Sequence, residues 1–407
     1  MTATGTVRPA DPSAHCPPRL TIVALTWRDL AHPLAGGAEA VIDRVLTGLH
    51  QRGHDVTLVC GGPVSEHPFE TVDSGGTYSQ YLRAPILGMG RFRNADVVID
   101  VENGLPFFSP LWRRRPSVCL VHHVHTDQWA TRFPRGIARV LEGVEREVMP
   151  RLYRNRRYVA VSQSTKEALG GIGVAAESVT VIESGVDVHD GDVPTKSEEP
   201  LLLSLNRLVP HKRVDLLLRA WEVASPHTTG RLVVAGDGPL LEDVRRRAAR
   251  LPRVDVLGRV SEDEKKKLLA RAWAVLSTAH HEGWGMSMLE GAVFGTPALA
   301  VDAPGIRDAV VDGVTGRLVP AADGSTLAAT FGQAIVSFVN QPGRRLELGR
   351  AARERARACS WDNTIDRWER VLLEASIEPH AGRSRRRRAA AVPSERPRRQ
   401  TSGVSPP

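Results

Sequence analysis

Residues 280–300 read HHEGWGMSMLEGAVFGTPALA. Before them stands WAVLSTA, a short apolar run that suits a buried strand. After a Gly283–Gly285 turn, MSMLEGAVFG has helical spacing starting near Met286 or Ser287, and TPALAVD returns to a strand. Strand, glycine turn, helix and strand make a β-α-β unit, which implies parallel strands and a right-handed crossover. The charge in this junction is what needs explaining. Glu282 stands before the turn and Glu290 eight positions later, about one turn inside the helix. A carboxylate taken from water without partners is costly, so something polar is expected to meet the pair.

The same alternation runs outward in both directions. Upstream, PLLLSLNRL, GRLVVAGDGP and VDVLG read as strands, with VDLLLRAWEVA and SEDEKKKLLARA as helices. Nearer the start, RLTIVALTW leads through AGGAE into an amphipathic helix, a Gly53 stop and a strand at 56–60. Further strands are expected at 97–101, 117–121 and 158–161, with a helical stretch from Arg135 to Val148. A chain of 407 residues suits two domains of about 150 to 200 residues. The expected division is a leader over 1–18, a Rossmann-like domain over 19–191 and a second over 192–360. The polar stretch DVPTKSEEP (192–200) is the linker candidate. A last helix, 361–376, and an Arg-rich tail, 377–407, complete the chain. The fold class is α/β, with two doubly wound layers and a basic tail whose composition reads as disordered.

Charge excludes one function class. From Ala381 onward eight arginines face one acid, Glu395, so seven of the eight net positive charges lie in the tail. The remaining body is nearly neutral and is not a nucleic-acid-binding surface. The cysteines Cys16, Cys60, Cys119 and Cys359 are scattered, without C-x-x-C or metal-ligand spacing, as in a reducing cytoplasm. The first eighteen residues lack an apolar h-region, and no apolar run reaches the length of a membrane span.

Four constellations carry chemistry. Gly36 and Gly37 open the first helix, where free N–H groups can meet an anion; a tight turn explains them equally well. His122, His123 and His125 follow an apolar strand at the sheet's carboxyl edge. Three histidines invite a zinc reading. Their spacing, however, puts neighbouring side chains on different faces, and no further ligand stands near in sequence. A polar loop lining a cleft, with one histidine as donor or proton relay, is the better reading. In NRLVPHKR, Arg207 and Lys212 set a planar fork and a point charge at a strand end, a natural diphosphate clamp. Glu282 and Glu290 then flank an anion site at the free N–H groups of the helix that begins near Met286 or Ser287. Hydroxyls at both ends and a diphosphate in the middle describe a nucleotide-sugar. A two-carboxylate hydrolase would leave the clamp idle.

These residues resemble the retaining glycosyltransferases of family 4, whose signature is E-x7-E. The likeness covers about residues 20–375. It is carried by GGAE, NRLVPHKRVDLLLRA, VVAGDGP, VLGRVSEDE and EGWGMSMLEGAVFGTPALA…GIRDAVVDGVTGRLV. It implies the GT-B fold, two Rossmann-like domains facing a cleft, with 361–376 crossing back to the first. It implies ribose binding by Glu290, sugar binding by Glu282, Gly283 and the Met286–Met288 amides, and a diphosphate held by Arg207, Lys212, Gly36 and Gly37. Arg259 would lie near the base, and His122 would be the active-site histidine, with His123 its alternative. The implied reaction needs no metal and no cofactor beyond a nucleotide-sugar co-substrate. It delivers a sugar to a hydroxyl of a lipid, glycan or small molecule. Asn206 and Glu183–Ser184 depart from the family pattern without touching the clamp. The alternatives are a GT-B epimerase or phosphorylase, and an adaptor working through the Arg tail. The tail reads first as a solvated segment and second as an anchor for an anionic membrane face; specific nucleic-acid binding is not expected.

Overall fold

The computed structural model describes residues 18–377, apart from 34, 77, 126–128, 130–132 and 189–190. The expected leader and Arg-rich tail therefore lie outside the described residues, except for Pro18 and Ile377 at their inner ends. The first half forms a sheet of seven strands: β1 (Thr21–Arg28), β2 (Asp55–Gly61), β3 (Glu70–Asp73), β4 (Val97–Glu102), β5 (Ser117–Val121), β6 (Arg157–Ala160) and β7 (Val179–Val181). Their order is 3-2-1-4-5-6-7, every pairing parallel. The second half adds β8 (Leu201–Leu205), β9 (Arg231–Ala235), β10 (Val254–Gly258), β11 (Ala274–Ser277), β12 (Ala298–Val301) and β13 (Gly316–Val319). They lie in the order 10-9-8-11-12-13, again all parallel. Both are doubly wound Rossmann sheets. The order reverses between β1 and β4 and between β8 and β11, the places where such sheets hold ligands beyond the strand carboxyl ends.

Helices of two turns or more cover the sheets. In chain order they are α1 (Gly37–Gln51), α2 (Gln80–Met89), α3 (Arg135–Gly143), α4 (Gln163–Gly171), α5 (Val214–Ala224), α6 (Leu241–Ala248), α7 (Glu262–Arg271), α8 (Met286–Val293), α9 (Gly324–Val339), α10 (Pro342–Ala358) and α11 (Trp361–Ile377). The apolar stripe of α1 (Val41, Ile42, Val45, Leu46, Leu49) is buried and faces the first sheet's core. Gly48 lies where α11 crosses it: a Cβ there would fall 2.1 Å from Ile365 Cδ1. The crossing is fixed by Arg52, which pairs with Asp366 (2.5 Å) and Glu369 (2.7 Å), and by His54 on Glu369 (3.0 Å). Arg157–Glu374 (2.8 Å) extends the contact along α11. The last helix thus follows the second sheet in sequence and packs on the first.

Two features depart from the sequence reading. Strands β3, β7 and β13 were not anticipated; they are three or four residues long and only partly apolar, too short for a periodicity to show. The stretch expected as one helix, Arg135 to Val148, is α3 followed by a π-turn over Val144–Val148. The wider turn takes Glu145 out of the exposed rows and buries it, where it accepts from Trp129 Nε1 (2.9 Å) and the His125 backbone N–H (2.5 Å).

Candidate active site

At the switch point of the second sheet, the loop after β8 carries Arg207 and Lys212 and the loop after β11 carries Glu282. Main-chain bonds hold these loops together. His280 N donates to His211 O (2.8 Å), and Thr278 Oγ1 donates to the carbonyls of Lys212 (3.3 Å) and Arg213 (2.9 Å). So fixed, Lys212 Nζ lies 2.7 Å from Glu282 Oε1, with both side chains largely covered. Arg207, exposed, projects from a backbone segment that two glycines of the VVAGDGP stretch allow to pass. A Cβ at Gly236 (φ +135°) would stand 1.8 Å from Asn206 O, and one at Gly238 (φ +153°) 2.5 Å from Leu208 O.

The turn into α8 is built the same way. Glu282 N donates to Pro304 O (3.0 Å), and Gly305 (φ +78°) passes so close that a Cβ would lie 2.0 Å from Glu282 O. Gly285 caps α8 in the left-handed region (φ +65°). Met288 N donates to Gly285 O (3.1 Å), which takes one of the three expected amides out of anion binding and leaves Met286 and Ser287 at the helix start. Ser287 is half-buried and Met288 buried. Glu290, about a quarter exposed, pairs with Lys265 of α7 (2.9 Å), which also reaches Glu262 (2.7 Å). Burial pushes the Glu290 carboxyl above its ordinary value while Lys265 opposes the shift. Arg259 is exposed at the carboxyl end of β10, the edge strand.

The first domain faces this edge. Glu39 Oε2 accepts from Gly36 N (2.8 Å) and its other oxygen meets Arg28 Nε at 3.4 Å, so the AGGAE turn is held by its own glutamate. A Cβ on Gly36 would come 3.4 Å from Arg207 Nη1, so Gly36 faces the clamp across the cleft, whereas a Cβ on Gly37 meets nothing within 4 Å. A Cβ on Gly283 would come 3.1 Å from the carbonyl of His122, and Asp308 Oδ1 accepts from Ser164 N (3.1 Å). Beyond them the imidazoles of His123 and His281 lie 5.7 Å apart, bridging the two domains, and His211 stacks on His281 at 5.0 Å. His122 itself is buried. Burial, reinforced by His125, lowers its pKa to about 4; burial, with His280 and Lys212, does the same for His281. His122 is therefore neutral near pH 7. Its unfolded counterpart titrates near 6.5, so the unfolded chain binds the extra proton between pH 6.5 and 4. Stability should accordingly be intact above pH 6.5 and fall as the pH drops towards 4, by roughly 3 kcal/mol from this residue. Urea midpoints at pH 7, 5.5 and 4.5, for wild type and His122→Asn, measure that slope; the variant should flatten it.

Sequence reasoning passed over Glu39, Lys265, Gly305 and Asp308. The first had a signal, the capping spacing of Glu39 after Gly36. Gly305 and Asp308 repeat that spacing, Asp308 Oδ2 accepting from Gly305 N (3.1 Å), whereas Lys265 had none, because it meets Glu290 only across the fold. Passed over as well was the company of His125. Glu102, at the end of β4, and Glu145, in the π-turn, are buried beside it, so three ligand-type atoms lie within 4.8 Å of one another.

A fold of two facing Rossmann sheets, with a last helix returning to the first and a basic clamp opposite a glycine turn, is the GT-B architecture. Among solved structures, Anabaena HepE in complex with UDP and glucose has the same fold: TM-score 0.69 at 18% identity, over 88% of this chain and all of that one. The family model described as glycosyl transferases group 1 matches residues 187–355, and that of glycosyltransferase family 4 matches 35–190. The D-inositol 3-phosphate glycosyltransferase of Kribbella flavida is 30% identical over 286 residues, 62% of this chain and 65% of that protein. Its counterpart in Streptosporangium roseum is 30% identical over 307 residues, 66% and 67% of the two chains. The match spans about two thirds of these relatives' lengths. The chain belongs to the GT-B glycosyltransferases of the group 1 and family 4 type.

Proposed function

We propose that this protein moves a sugar from a nucleoside-diphosphate sugar to a hydroxyl acceptor with retention at the anomeric carbon, and without a metal at the diphosphate. The observation that carries the reading is the Lys212–Glu282 pair at the β8/β11 switch point. An arriving diphosphate competes for Lys212, and the exchange releases Glu282 to accept hydrogen bonds from the sugar. Arg207 and the amides of Met286 and Ser287 complete the anion site, and Gly36–Gly37 close on it from the other domain. Glu290, oriented by Lys265, accepts from the ribose hydroxyls; Arg259 stands beside the base. Fixed cations and amides stabilise the charge that grows on the departing diphosphate. His122, neutral and buried, is the active-site histidine of this reading. The reacting oxygen of the leaving phosphate takes the acceptor proton, so no protein nucleophile is required.

The acceptor is a hydroxyl of a lipid, glycan or small molecule. The Anabaena structure holds UDP and glucose, and the relatives are named for D-inositol 3-phosphate. Those make UDP-sugars and that phosphorylated polyol the first pair to try. No helix among the described residues is long and apolar enough to cross a membrane. A cytoplasmic setting, in envelope glycan synthesis and with the Arg tail touching an anionic inner membrane face, belongs to the same proposal. The test is proton NMR of the products from UDP-, GDP- and ADP-sugars with a panel of hydroxyl acceptors. Acceptor-dependent release of nucleoside diphosphate, with the donor's anomeric configuration kept, supports the reading. An inverted product, or sugar-nucleotide turnover to an epimer without an acceptor, contradicts it.

A further inference from the structure

Glu102, His125 and Glu145 come from three segments that frame the carboxyl edge of the first sheet: the end of β4, the loop after β5, and the π-turn. All three are buried. His125 Nδ1 lies 3.6 Å from Glu102 Oε1 and 3.8 Å from Glu145 Oε1. Those separations are too long for hydrogen bonds. They are close to the ligand–ligand edge of about 3.4 Å that a tetrahedral ion makes with oxygen and nitrogen at about 2.1 Å. His125 Nδ1 and Glu102 Oε2 have no hydrogen-bond partner among the described residues, although both are buried. One carboxylate oxygen and the imidazole therefore converge with ligand capacity in hand, beside the hydrogen-bonded carboxylate of Glu145.

Their outer contacts aim them. Gly104 N donates to Glu102 Oε1 (2.5 Å), and Glu145 accepts from Trp129 Nε1 and from the His125 backbone N–H. Such second contacts orient metal ligands. The π-turn brings Glu145 inward, and single π-turns of this kind are frequent at functional sites.

We infer that Glu102, His125 and Glu145 form a site for one divalent transition-metal ion, of the zinc class, which ties the loop after β5 to the sheet on the acceptor side. Two carboxylates with one imidazole suit such an ion, whose double charge offsets both acids. The ion stands in the first domain, apart from the Arg207–Lys212 clamp, and takes no part in holding the diphosphate. Its role is to fix the loop that begins at His122, and with it the position of that histidine.

The test uses the full chain, tag-free and purified without chelator. Elemental analysis should find about one equivalent of metal. After chelation and dialysis, cobalt(II) added alone should bind one-to-one and give the visible absorption of a low-coordinate N/O site. Zinc should compete it off and raise the Tm by about 5 °C at a hundredfold excess over its Kd. Glu145→Gln and His125→Ala remove ligands themselves and should each weaken cobalt binding by at least about a hundredfold, the upper end of what loss of an outer contact costs. His281→Ala, at the cleft histidines, should leave it unchanged. Wild-type protein that folds normally yet carries no metal and shows no cobalt spectrum overturns the inference, and means that the acids share a proton instead. Binding that survives Glu145→Gln but is lost in His281→Ala also overturns it. None of these readouts depends on glycosyl transfer, so the two proposals fail separately.

Discussion

Lys212→Met is expected to lower kcat/KM by about a thousandfold, the range seen when a fixed donor at a developing anion is removed. The loss has two sources. The diphosphate loses a point charge that the loop bonds of Thr278 and His280 had already set in place. Glu282 also loses its only ion-pair partner among the described residues and stands as a bare carboxylate beside an arriving anion. Affinity for the free nucleoside diphosphate should fall less, by about ten- to a hundredfold, because one charge-assisted bond is worth about 1.5–3 kcal/mol and Arg207 remains. Lys212→Arg should recover part of the binding and little of the rate, since a planar fork cannot occupy the place of an ammonium. Steady-state kinetics paired with nucleotide titration measure both numbers. A rate within tenfold of wild type would remove Lys212 from the leaving-group site.

Gly236→Ala is expected to destabilise the second domain by roughly 3 kcal/mol or more. At φ +135° the backbone adopts a conformation that a Cβ disfavours, and the methyl would stand 1.8 Å from a main-chain oxygen that has no room to move aside. The strand end would shift, and with it the Asn206–Leu208 segment that carries Arg207. Gly37→Ala is the control. Its Cβ meets nothing within 4 Å, so the urea midpoint should stay, while donor affinity falls if that turn closes on the diphosphate. Equal midpoints for Gly236→Ala and wild type would contradict the packing described for the clamp.

Much of this was legible along the chain, and the reason is local. The β-α-β alternation is written in apolar runs and glycine stops, so β8 to β12 could be placed with ends within about three residues, and so could the helices Val214–Ala224, Glu262–Arg271 and Met286–Val293. Glu282 and Glu290 were visible because charge in a buried junction is expensive. What was hidden lies across the fold. Lys265 belongs to a run of charges that reads as a solvated helix face, yet its amine reaches Glu290 twenty-five residues away. Glu102 ends an apolar strand and Glu145 sits in an amphipathic stretch; only the parallel sheet and a π-turn bring both to His125. The histidines were read without zinc for want of a ligand close in sequence, and the acids beside them come from elsewhere in the domain. Gly305 and Asp308 carry a local capping spacing, but their contacts with Glu282 and Ser164 are met only when turns and domains pack.

The most direct measurement is isothermal titration of the purified chain with UDP, GDP and ADP, repeated with Glu290→Ala. One nucleotide should bind with micromolar affinity, and the variant should bind it at least about tenfold more weakly, because the ribose hydroxyls lose a charged acceptor. Folded protein that binds none of the three, or a variant that binds as wild type does, would contradict the donor site drawn around Lys212, Glu282 and Glu290.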